Sequence, residues 1–89
     1  MKRTQVTLSN QLGLHARAAA KLVHLAKTFT GDIQLGKDGT LVDAKSIMSV
    51  LLLAAPVGTT LELRVDGEDE AEAFAAIRQL IDDRFGEEV

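Results

Sequence analysis

Cysteine is absent, which excludes disulfides, thiolate catalysis and cysteine-based zinc sites together. Tryptophan and tyrosine are absent too, and Phe29, Phe74 and Phe85 are the only aromatic residues. The core must therefore be aliphatic, and no aromatic platform remains on which single-stranded bases could stack. Positive charge is scarce: 10 basic residues face 13 acidic ones, for a formal net charge of −3. No clustered basic face is present, so binding to nucleic acid through phosphate neutralisation is not expected. Long hydrophobic runs are missing as well. The longest, Ile47 to Val57, contains Ser49 and Pro56 and falls short of the roughly 20 apolar residues that span a bilayer. With no segment resembling a signal peptide, a cytoplasmic protein without membrane insertion is expected.

What is present fits a small globular fold. Apolar residues make up 46% of the chain, which argues against disorder. A length of 89 residues implies one domain, 1–89, with one core and no room for a deep enclosed active site. Function should then lie at the surface.

Met1 to Ser9 alternates, with Val6 and Leu8 on one side and Gln5, Thr7 and Ser9 on the other, and reads as a strand. After a loop at Asn10 to Leu14, helical spacing links Ala19, Leu22, Val23, Leu25, Ala26 and Phe29, predicting a helix from Ala16 to about Phe29. Ile33 and Leu35 alternate, Lys37, Asp38 and Gly39 turn, and Leu41 and Val42 complete a hairpin. Ile47 to Ala55 is expected to form a short helix ended by Pro56 and Gly58. Leu61, Leu63 and Val65 give the clearest strand. Glu68, Asp69 and Glu70 open a last helix whose apolar stripe is Ala73, Phe74, Ile77, Leu80 and Ile81. The order β-α-β-β-α-β-α, with each strand burying one face, predicts a two-layer α+β sandwich. The first and last strands are expected to sit centrally.

The chemistry concentrates in Gly13-Leu14-His15-Ala16-Arg17, where a loop becomes a helix. His15 falls at about the N-cap, and the backbone N–H groups of Ala16 and Arg17 are the first without intrahelical partners. Such a terminus attracts anions. The positive helix end and Arg17 disfavour imidazolium, leaving a ring nitrogen with the lone pair needed to attack phosphorus. The same N–H groups and the Arg17 guanidinium would then hold the phosphate oxygens. On physical grounds alone, an ordinary surface histidine is the competing interpretation. His24 lies nine residues on, about 180° around a helix, so it cannot share a metal with His15, and no metal or cofactor is called for. Ser46 is either a helix N-cap or a regulatory phosphorylation site. Ile47, Met48, Leu51 and Leu52 are either core or an exposed apolar partner surface.

Gly13-Leu14-His15-Ala16-Arg17, followed about thirty residues later by Lys45-Ser46-Ile47-Met48, closely resembles the HPr family of phosphocarriers over essentially the whole chain. The resemblance implies an open-faced β-sandwich, with four antiparallel strands and three helices on one side. It implies that His15 accepts a phosphoryl group on Nδ1 from phosphoenolpyruvate-dependent enzyme I and donates it to an enzyme IIA domain. Such a protein is a monomeric carrier with a phosphohistidine intermediate, and not an independent catalyst. Arg17 matches the family's phosphate-assisting arginine, and Ser46 matches the serine modified by an HPr kinase/phosphorylase in some bacteria. The family motif commonly continues with Pro where this chain has Ala18, and in this the chain looks like the nitrogen-related branch, NPr. Sugar uptake and nitrogen or carbon regulation are thus both open as outcomes. The competing hypothesis is a regulatory binding module of the same fold acting through Ser46.

Overall fold

A computed structural model describes residues 1–88. Its elements are β1 (Lys2–Thr7), α1 (Ala16–Ala26), β2 (Asp32–Lys37), β3 (Thr40–Asp43), α2 (Ile47–Leu52), β4 (Thr60–Asp66) and α3 (Glu70–Asp82). A single 3-10 turn, Arg84–Gly86, follows α3. The four strands form one antiparallel sheet in the order β1-β4-β2-β3. This matches the predicted fold class and element order, the terminal turn apart.

The expectation of two central end strands holds only for β4. β1 lies at the edge, paired to β4 alone, from Lys2 opposite Val65 to Thr7 opposite Thr60. The reason is topological. β1 and β2 both run antiparallel to β4, so they are parallel to each other, and α1 carries the chain across a gap one strand wide that β4 later fills. β3, α2 and β4 repeat the device around β2. Exposed Lys2 and Arg3 suit an edge, where charge discourages pairing with another chain.

Alternation places the core as expected. Leu61, Leu63 and Val65 of β4 are wholly buried, with Ile33 and Leu35 of β2 beside them. Ala18, Ala19, Leu22, Val23 and Ala26 of α1 and Ala73, Ile77 and Ile81 of α3 cover that face. Each large aliphatic side chain buried this way stabilises the fold by roughly 1.5–3 kcal/mol. Leu25, Phe29, Leu51, Phe74 and Leu80 pack around the core, partly buried.

Two helices are shorter than their apolar patterns. α1 ends at Ala26, and Phe29 follows in turns closed by bonds from Thr28 N–H to the Leu25 carbonyl and from Phe29 N–H to the Ala26 carbonyl. α2 ends at Leu52: the Leu53 and Ala54 N–H groups close tighter bonds to the Val50 and Leu51 carbonyls, and Ala54 turns to a φ of 48°. Lys37 Nζ, reaching over from β2, takes the Leu53 and Ala54 carbonyls beyond the helix (2.9 and 3.3 Å). No helix among the described residues is long and apolar enough to cross a membrane.

Candidate functional site

The segment Asn10–Leu14 fixes where α1 begins. Gly13 adopts a φ of 64°, and a Cβ there would lie 2.5 Å from the Ala55 carbonyl oxygen, so only glycine fits. Leu14 is buried and its N–H donates to that same oxygen at 2.9 Å. The loop is thereby fastened to the segment that follows α2. His15 comes next with extended backbone (φ −80°, ψ 178°) and its carbonyl accepts from Ala19 N–H at 2.8 Å, which makes it the N-cap.

An N-cap side chain commonly satisfies a free amide of the first turn. His15 makes no such bond. Among the described residues, the N–H groups of Ala16, Arg17 and Ala18 therefore have no acceptor within the chain. The third donor was not anticipated. It exists because position 18 is Ala, whereas proline would lack it. Arg17 is exposed, and its guanidinium makes no ion pair among the described residues. The structure thus brings His15, the Ala16 and Arg17 amides and the Arg17 side chain to one helix start.

The imidazole has a partner that sequence reasoning missed. Its Nε2 meets Glu87 Oε2, and Glu87 Oε1 accepts from Asn10 Nδ2 at 2.9 Å. Asn10 is fully buried and also donates to the Gly13 carbonyl at 2.7 Å. These bonds hold the Glu87 carboxyl below the usual glutamate range: Asn10 contributes most, desolvation opposes it, and His15 and the Lys21 charge add to the lowering. A carboxylate thus faces the ring, in addition to the helix end and Arg17 that the sequence places there. A pair of glutamates near the chain end looks like a solvated tail. Phe85, one of three aromatics, was the available signal that this tail folds back.

None of the other candidates bonds to His15 among the described residues. His24 is exposed in the last turn of α1. No group of three His, Asp or Glu that could hold a metal occurs among the described residues. Ser46 is the N-cap of α2, its Oγ accepting from Ser49 N–H at 3.3 Å. Ile47, Met48 and Leu52 are exposed, while Leu51 packs partly against the core.

Residues 2–83 match the family described as the PTS HPr component phosphorylation site. The chain belongs to the HPr family of phosphocarriers of the phosphotransferase system. It is 51% identical over 87 residues to phosphocarrier protein HPr of Cupriavidus necator, covering 98% of each chain. Among solved structures it is similar to HPr-C-His from Thermoanaerobacter tengcongensis, at 42% identity and a TM-score of 0.96, with both chains covered completely. An HPr dimer from the same organism matches at 41% identity and a TM-score of 0.79, over 98% of this chain and all of that one. The HPr match encloses His15, Arg17 and Ser46 and stops before Glu87.

Proposed function

We propose that His15 accepts a phosphoryl group from phosphoenolpyruvate-dependent enzyme I and passes it to an enzyme IIA domain. One observation carries this reading: a partly exposed imidazole stands at a helix start whose first three N–H groups lack acceptors among the described residues. Amides in that position, with a positive helix end behind them, favour the phosphate oxygens that arrive with the group. Arg17 adds an exposed guanidinium that, among the described residues, has no ion pair to break before it meets those oxygens. Phosphoryl transfer needs chiefly positioning and charge stabilisation, which a shallow surface site supplies. Every group involved comes from one chain, so a monomer suffices, and the setting is the cytoplasm.

Partner docking falls to the apolar residues beside the site. Met48 is 66% exposed and Leu52 78%, and Leu12 at 67% extends the same character into the loop before His15. Exposed apolar groups next to a charged site favour a protein partner, and methionine adapts to more than one. Leu51 contributes less, being partly buried. Ser46, half-buried and next to Ile47 and Met48, is the proposed regulatory position, where an HPr kinase/phosphorylase would place a charge inside the docking surface.

The test is incubation with enzyme I and phosphoenolpyruvate, followed by intact-mass measurement. An acid-labile gain of one phosphoryl group is expected. His15→Ala should abolish it and Ser46→Ala should leave it. Labelling that persists in the His15 variant overturns the assignment.

A further inference from the structure

The segment after α3 brings one carboxylate, that of Glu87, to His15. After α3, Arg84, Phe85 and Gly86 take left-handed φ values of 58°, 56° and 78°. Two of these are not glycine, so the reversal is held against a steric cost. Phe85, fully buried, supplies the anchor, and Lys21 Nζ on α1 donates to its carbonyl at 2.6 Å. The chain therefore returns along α1 and sets Glu87 between Asn10 and His15, its side chain only 13% exposed.

Asn10 fixes the geometry. Its Nδ2 donates both to the Gly13 carbonyl and to Glu87 Oε1, while its buried Oδ1 has no partner among the described residues. Turned over, the amide would set Oδ1 against two acceptors, so the orientation with Nδ2 towards Glu87 is enforced. A carboxylate only accepts, hence the His15 nitrogen facing it must carry the proton. That nitrogen is Nε2. Nδ1 is then the atom left with a lone pair when the ring is neutral.

Taking His15 as the phosphoryl acceptor, we propose that Glu87 is a positioning residue for its chemistry. It holds the proton on Nε2, so that Nδ1 attacks, and balances the charge the ring acquires. In the forward step the Nδ1 lone pair forms the N–P bond, and the bond from phosphorus to the donor atom of enzyme I breaks with its electron pair kept by that atom. Nε2 keeps its proton, so the ring becomes a phosphoimidazolium. Its positive charge faces the Glu87 carboxylate. In the onward step the N–P electron pair returns to Nδ1 and the ring is neutral again, its Nε2 proton never having left. A carboxylate beside a histidine that turns cationic during reaction does the same for serine hydrolases. Glu87 touches neither phosphorus nor donor, and acts through the ring.

The test uses the full chain labelled with 15N-histidine, together with Glu87→Gln and Glu87→Asp. In the wild type, NMR should show the neutral His15 ring protonated at Nε2, and enzyme I with phosphoenolpyruvate should phosphorylate it. Glu87→Gln, which keeps the shape of the tail and removes its charge, should mix the two tautomers. It should also slow phosphorylation by at least about tenfold, the size of one charge-assisted hydrogen bond made in the transition state. Glu87→Asp should recover part of the rate. Thermal unfolding within a few degrees of wild type for both variants would show that the tail still folds. A wild-type ring protonated at Nδ1, or Glu87→Gln labelled at the wild-type rate, overturns the role of Glu87 and leaves His15 as acceptor. A wild type that takes no label overturns both.

Discussion

Gly13 and Ala55 meet backbone to backbone: a Cβ on Gly13 would stand 2.5 Å from the Ala55 carbonyl oxygen. That oxygen also receives Leu14 N–H, so the start of α1 is fastened to the chain leaving α2. The contact joins the proposed phosphate-binding end of one helix to the segment that follows the proposed docking helix.

Gly13→Ala should therefore act on stability and on the site together. The left-handed φ alone costs an ordinary residue about 1–2 kcal/mol. The collision is with backbone, which cannot swing aside as a side chain would, so the total should exceed about 3 kcal/mol. Gly39→Ala is the control: its φ is 84°, yet a Cβ there meets nothing within 4 Å. It should lose only the conformational part. Urea unfolding of the two variants measures the difference, and equal losses would mean that the approach to Ala55 is soft.

Asp69 gives a pH prediction. Its carboxylate does not cap its own helix but accepts from Thr30 N–H at 2.8 Å and Gly31 N–H at 3.0 Å, tying the end of α1 to the start of α3. The Thr30 amide, foremost, and the Gly31 amide hold its carboxyl below the usual aspartate range, against desolvation. A group whose pKa is lower folded than unfolded adds stability above its unfolded value and loses it as pH falls through the folded one. Asp69→Asn should be the less stable protein at pH 7. The gap should close on acidification below about pH 4, where the wild type loses the charged interaction as well. Urea midpoints from pH 7 to about pH 2.5 follow this directly, and a gap independent of pH would show that charge is not what Thr30 and Gly31 recognise.

Much of this architecture was legible because it is periodic. The alternation of Leu61, Leu63 and Val65 and the stripe through Leu22 and Ala26 report burial directly, and the structure buries all five. His15 was legible as an N-cap because helix starts have local chemistry. The features that escaped are set by distant residues. β1 became an edge because β4, more than fifty residues on, enters the gap beside it. α2 stopped early where Ala54 turns left-handed, with Lys37 of the distant β2 taking the carbonyls of Leu53 and Ala54 just beyond it. Glu87 has no local signature, since its position follows from the burial of Phe85 and from the orientation of Asn10.

Ser46 separates capping from regulation. Its bond to Ser49 N–H is long, at 3.3 Å, so Ser46→Ala should cost about 0.5–1 kcal/mol, the lower part of the range for lost caps. Ser46→Asp should fold as well as the wild type, because Asp caps equally well and its charge suits the helix start. It nevertheless sets a negative charge beside exposed Ile47 and Met48. Phosphorylation of His15 by enzyme I should therefore slow in Ser46→Asp and not in Ser46→Ala. Parallel thermal melts and initial rates test the pair, and equal rates would remove the α2 surface from docking.

Arg17 tests the phosphate cradle itself. Its exposed guanidinium contributes no ion pair among the described residues, so Arg17→Ala should shift stability by no more than about 0.5 kcal/mol. The transferring group spreads charge over its oxygens, and there a charge-assisted hydrogen bond lost should slow transfer by roughly 10- to 100-fold. Arg17→Lys restores the charge without the planar fork and should recover only part of that rate. The loss should appear in both directions, onto His15 from enzyme I and off it to an enzyme IIA domain, because the same oxygens are held in each. Rapid-quench measurement of both half-reactions decides it: full speed in Arg17→Ala would leave the Ala16, Arg17 and Ala18 backbone amides as the sole cradle, and a loss in one direction only would place Arg17 in partner docking.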